Sequence, residues 1–101
     1  MPFLKVTTVS EIAPGKAMMF QIKDAIVSIF NVDGKYYAVD DRCPHRGAPL
    51  SEGVLNGTTV TCPWHGAKFD VTSGKLISGA QWSLKTYSLK VDGEDIWVDV
   101  D

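Results

Sequence analysis

Short runs of Val, Ile, Phe, Tyr and Thr recur along the chain, separated by turn dipeptides at Pro14-Gly15, Asp33-Gly34, Asn56-Gly57, Ser73-Gly74 and Asp92-Gly93. Apolar segments this short, punctuated about every 8 to 20 residues, predict β-strands and leave little room for helices. Two hairpins read directly: residues 26–32 turning at Asp33-Gly34 into 35–39, and residues 83–91 turning at Asp92-Gly93 into 95–100. In the last of these Ile96, Val98 and Val100 alternate with Trp97 and Asp99, the mark of a half-buried strand. Phe3–Thr8 and Ala17–Ile22 are further strand candidates, and the stretch between them holds at most one helical turn before Pro14. Residues 53–60 read as another hairpin, with Asn56-Gly57 supplying the positive φ angles of a type I′ turn. The predicted fold class is all-β: a small antiparallel β-sandwich or barrel formed by residues 1–101 as a single domain. Residues 41–79, richer in Gly and Pro, form a loop-rich subdomain inserted between strands at one end.

Composition narrows the function classes. At 101 residues, 45% hydrophobic and 22% charged, the chain has material for one core and no second domain. A net charge of -2 lacks the basic field that nucleic acid or an anionic membrane selects, so neither is an expected partner. Met1-Pro2-Phe3-Leu4-Lys5-Val6 has no basic head before a long apolar stretch, and no apolar run approaches the ~18 residues of a membrane span. The expectation is a cytoplasmic protein, neither secreted nor anchored.

Sulfur and imidazole ligands are scarce and tightly grouped. The chain has two Cys and two His, arranged as Cys43-Pro44-His45-Arg46-Gly47 and Cys62-Pro63-Trp64-His65-Gly66. Cys-Pro opens each loop and a Gly follows each His, residue types that build rigid, closely approached loops. The intervening hairpin at residues 53–60 returns the second loop beside the first. A disulfide with two bystander histidines is disfavoured in a reducing compartment, and chance placement does not account for four such residues in one short stretch. Zinc accepts two Cys and two His, but its sites usually space the first pair by two to four residues and group like with like. Here each loop offers one thiolate and one imidazole, with one residue between them in the first loop and two in the second. A binuclear iron centre can sort such ligands by type.

These residues resemble the Rieske [2Fe-2S] family. The resemblance extends from the Cys-x-His and Cys-x-x-His loops to Gly47, to Pro49-Leu50-Ser51 and Gly53, to Phe69 and Gly74, and to Tyr87 with Val91 and Gly93. It implies an antiparallel β fold with a cluster-binding subdomain and one [2Fe-2S] cluster, its inner iron held by Cys43 and Cys62 and its outer iron by His45 and His65. Two ferric ions, two sulfides and two thiolates sum to zero with neutral imidazoles. An electron therefore enters more easily than into a four-thiolate dianion, which lies behind the higher potentials of this family. High-potential relatives carry a disulfide between the loops and Ser and Tyr hydroxyls toward the sulfides. The corresponding positions here are Ala48, Trp64, Ala67 and Phe69, which implies a centre at the low end of the range.

No histidine is left over for a catalytic iron, so the expected role is that of an electron carrier and not an enzyme. The resemblance points to the ferredoxin of an aromatic-ring dioxygenase, monomeric, passing single electrons from a flavin-dependent ferredoxin reductase to a terminal oxygenase. Two other readings stay open: the Rieske-type small subunit of an assimilatory NAD(P)H nitrite reductase, and a zinc-stabilised interaction or redox-sensing module. Around the four ligands, Arg46, Gly47, Leu50, Trp64, Gly66, Lys68 and Trp82 are expected to support the cluster or meet a partner. Relatives cover the cluster with a proline-containing third loop. Here that stretch, residues 78–82, has no proline, and Trp82 is the expected substitute.

Overall fold

The computed structural model describes residues 3–42, 49–63, 67–75, 77 and 84–100. Among them run β1 (Phe3–Thr8), β2 (Ala17–Ile22), β3 (Ala25–Val32), β4 (Lys35–Asp40), β5 (Val54–Asn56), β6 (Thr59–Thr61), β7 (Lys68–Asp70), β8 (Thr86–Asp92) and β9 (Asp95–Asp99). Short 3₁₀ turns at Val9–Glu11 and Leu50–Glu52 are the helical elements among the described residues. Six strands form one antiparallel sheet in the order β1-β9-β8-β4-β3-β2, and β5-β6-β7 form a second. The larger sheet curls into a barrel-like form whose two edge strands face each other across a groove lined by Leu4, Val6, Phe20 and Ile22.

Strand periodicity sorts the apolar side chains into two cores. Val27 and Ile29 of β3, Ala38 of β4, and Ile96 and Val98 of β9 point inside the curled sheet, together with Ile12 and Ile22. The alternate residues Phe30 of β3 and Val39 of β4 point outward, where Leu50, Val60, Phe69 and Leu84 cover them. β3 and β4 are therefore buried on both faces, which is why residues 25–30 read as a nearly unbroken apolar run. Asn31, almost fully buried, ties the segment before β2 to the β3–β4 turn. Its Nδ2 donates to the Ile12 carbonyl (2.8 Å) and its Oδ1 accepts from the Gly34 N–H (2.8 Å).

The turns show where sequence expectation and structure part. Asp33 and Gly34 both adopt positive φ (52° and 90°) between paired Val32 and Lys35, the geometry of the predicted turn. The expected type I′ turn at Asn56-Gly57 is a correction: Asn56 pairs with Thr59, and only Gly57, first of the two central residues, has positive φ (63°). That pattern belongs to type II′. The reason lies in the core, since this register puts Leu55, Val60 and Phe69 side by side on the inner face. The C-terminal hairpin slides by the same single residue, turning at Gly93 and Glu94 between paired Asp92 and Asp95. β8 begins at Thr86, later than expected, because Leu84 turns into the outer core and its N–H donates to the Gly74 carbonyl.

Candidate metal centre

Two of the described strand ends carry the Cys and His loops. β4 runs into Asp41 and Arg42, and the chain returns at Pro49 as the antiparallel bridge partner of Arg42. The Leu50 N–H then donates to the Asp41 carbonyl (2.7 Å), which pinches the loop at its mouth. β6 ends at Thr61, and the N–H of Cys62 just after it donates to the Ala67 carbonyl (2.7 Å), so the second loop is closed just as tightly. A third segment leaves after Ile77, whose N–H donates to the Lys68 carbonyl (2.8 Å), and returns at Leu84. Cys43, His45, Arg46 and Gly47 of the first loop, Trp64, His65 and Gly66 of the second, and Trp82 of the third lie outside the described residues.

The three mouths share a floor. Leu50, Cys62 and Leu84 pack in one apolar cluster with Val60, Phe69 and Val71. Gly53 locks the first mouth to the second: a Cβ there would fall on the carbonyl oxygen of Thr61, the residue before Cys62. Only glycine permits that approach. Cys62 is 2% exposed and is not in a disulfide. A buried thiol at the junction of two Cys and His loops is a soft ligand already shielded from water, and thiolate and imidazole donors together suit iron bound with sulfide.

Leu50 is fully buried within this floor, whereas Lys68 is exposed. Lys68 stands in a cross-strand row with Thr61 and Val54 on the outer face of the small sheet. Beside the first mouth, Asp40, Arg42, Lys85 and Tyr87 line an open cleft of about 490 Å³. Burial pushes the Asp40 carboxyl above its ordinary value, with Arg42 opposing the shift. Burial and the nearby Asp40 charge both raise the Tyr87 hydroxyl, and Lys85 Nζ lies 5.1 Å from the Tyr87 ring centre. Sequence reasoning passed over Asp41 and the Asp40 cleft. Their signal was the pair of acids immediately before the first loop.

The floor, the loop mouths and the two-sheet fold define a class, and the chain belongs to the Rieske [2Fe-2S] domain family, which matches residues 3–88. The biphenyl dioxygenase ferredoxin subunit of Pseudomonas sp. (strain KKS102) is 41% identical over 101 residues, covering 98% of this chain and 93% of its own length. The ferredoxin of carbazole 1,9a-dioxygenase from Nocardioides aromaticivorans IC177 superposes with a TM-score of 0.91 at 27% identity, covering 97% of each chain. A ferredoxin-sized chain from a complex of reduced oxygenase and oxidized ferredoxin in carbazole 1,9a-dioxygenase superposes at 0.88 with 32% identity, covering 95% of this chain and 91% of that one. The fold is thus all-β and antiparallel in the manner of Rieske ferredoxins, and the curated relative is an electron-transfer component of a dioxygenase.

Proposed function

We propose that this chain is a low-potential Rieske ferredoxin of a ring-hydroxylating dioxygenase system, carrying single electrons from a flavin-dependent reductase to a terminal oxygenase. One [2Fe-2S] cluster is held by Cys43, His45, Cys62 and His65. The observation that carries this reading is Cys62, a buried free thiol on the floor shared by both Cys and His loop mouths. The bound cluster supplies a site that accepts and releases one electron. The chain's own residues do the rest: Leu50, Val60, Phe69 and Leu84 exclude water from the Cys62 side, and Gly53 holds the two mouths together. Neither Ala67 nor Phe69 offers a hydroxyl toward the ligands, which supports a low potential. No helix among the described residues is long and apolar enough to cross a membrane. The carrier is proposed to work as a monomer in the cytoplasm.

The test is spectroscopic and kinetic. Purified protein should be red-brown, hold two irons per chain and, once reduced, give an EPR signal of low average g. Stopped-flow mixing with the oxidised oxygenase of a biphenyl-type system should reoxidise it within the turnover time. Cys62→Ala should abolish the colour. Colourless protein with stoichiometric zinc overturns the cluster. A cluster-bearing protein that serves a sirohaem nitrite reductase and not an oxygenase overturns the assigned partner.

A further inference from the structure

Asp41 is 2% exposed and is the one charged side chain in the buried set among the described residues. Its main chain joins two elements, the N–H donating to the Ile26 carbonyl (2.9 Å) and the carbonyl accepting from the Leu50 N–H (2.7 Å). Its side chain reaches across the loop mouth, where Oδ1 accepts from the Ser51 N–H (2.9 Å). The 3₁₀ turn Leu50–Glu52 begins after Pro49, which makes no side-chain cap. The first N–H groups of a helical turn need an acceptor, normally a Ser, Thr, Asn or Asp oxygen just before them. Asp41 supplies it from the far side of the loop. The hydrogen bond requires only a neutral oxygen, which Asn presents at the same place. Burying a carboxylate costs far more than burying an amide, and the ion pair formed among the described residues, Lys5 with Asp95, leaves Asp41 out. The clamp accounts for the oxygen but not for the charge.

We propose that Asp41 is a positioning residue that clamps the first ligand loop, and that its buried negative charge biases the [2Fe-2S] centre toward the oxidised state, holding its potential down. The inference rests on the reading that Cys43 is a ligand. Two residues of chain span at most about 7 Å, so the carboxylate lies on the order of 10 Å from a centre bound through Cys43. At an effective dielectric constant of ~20, a unit charge at that distance disfavours adding an electron by about tenfold. For a one-electron couple that is ~59 mV.

Wild type, Asp41→Asn and Asp41→Ala holoproteins are compared by protein-film voltammetry and by the rate of iron loss to a chelator. Asp41→Asn keeps the clamp and should keep its iron, while its reduction equilibrium constant rises about tenfold. Asp41→Ala loses both roles, so the same rise should come with iron loss several times faster than wild type. An Asp41→Asn protein with full iron and an unchanged potential overturns the charge. Iron retention in Asp41→Ala equal to wild type overturns the clamp. If Asp41→Asn cannot be purified with its cluster, Asp41→Ser, a neutral capping residue, carries the same comparison. Colourless wild type overturns the ligand reading itself, an outcome distinct from red-brown proteins of equal potential.

Discussion

Gly53 should be hard to replace although its backbone is ordinary, with φ at -79°. An alanine Cβ at this position falls on the Thr61 carbonyl oxygen, with the Thr61 carbonyl carbon at 3.1 Å and the Leu50 carbonyl oxygen at 3.2 Å. All three are backbone atoms, so none can rotate away as a side chain would. Thr61 is moreover held between Val54 and Lys68 in the small sheet. Relief must come by moving the 3₁₀ turn off β6, which separates the two loop mouths. Overpacking of this kind costs about 1–3 kcal/mol, and a clash with fixed backbone on both sides belongs at the upper end. Gly57→Ala is the control, since nothing lies within 4 Å of its Cβ position and its φ of 63° is the only obstacle. The left-handed conformation alone costs roughly 1–2 kcal/mol. At ~4–8 °C per kcal/mol for a domain of this size, Gly53→Ala should lower Tm by about 12 °C or more and Gly57→Ala by less than that. Thermal unfolding followed by circular dichroism gives the ranking, and iron content of the same samples gives the site. Gly53→Ala should also lose iron, whereas Gly57→Ala, at the far end of the hairpin, should not. A Gly57→Ala protein as destabilised as Gly53→Ala, or a Gly53→Ala protein with full iron, would refute the reasoning.

Phe69→Ala empties a fully buried ring from the floor beneath Cys62 and should cost about 3–5 kcal/mol, read as a lower urea midpoint. Asn31→Ala strands the Ile12 carbonyl and the Gly34 N–H, and should cost roughly 2–4 kcal/mol in the same assay; a loss under half of that would mean water reaches both groups. Asp40 tests linkage. Burial raises its carboxyl above the ordinary 3.8, so the native state holds this proton more tightly than the unfolded chain. Its favourable contribution is therefore present below the unfolded value and is lost as pH rises through the native one. Asp40→Asn should gain stability relative to wild type from about pH 4 upward, and urea midpoints that stay parallel across that range would count against it.

Much of the fold was legible because local and tertiary demands agreed. At Asp33-Gly34 the turn residues and the core pattern call for the same register, and the structure has it. At Asn56-Gly57 they disagree by one residue. A turn centred on Asn56 and Gly57 would set Leu55 opposite Thr58 and Val60 opposite Gly53, and the direct pairing of Leu55 with the buried Val60 outweighs the preference of Asn for positive φ. β7 was missed for a simpler reason. Lys68-Phe69-Asp70 carries a single apolar residue, too few to show a period, and becomes a strand only because β6 offers it an edge.

The candidate site divides along the same line. The candidate ligands Cys43, His45, Cys62 and His65 stand out by residue type and spacing in the chain alone. The mounting of the site is tertiary and left little trace. Asp41 follows another acid at the end of an apolar strand, where it reads as surface charge, and only the return of Leu50 and Ser51 onto it makes it a buried clamp. Gly53 reads as a turn residue, and only the passage of β6 against it makes it a spacer. Both depend on β4 being covered on its outer face, since that packing brings Leu50 and Cys62 into one cluster with Val39. The two-sided burial of β3 and β4 is thus what couples the site to the core. A cavity made in the outer cluster should loosen the loop mouths, whereas one of equal size made among Val27, Ile29 and Ile96 inside the barrel should cost stability and leave the mouths in place.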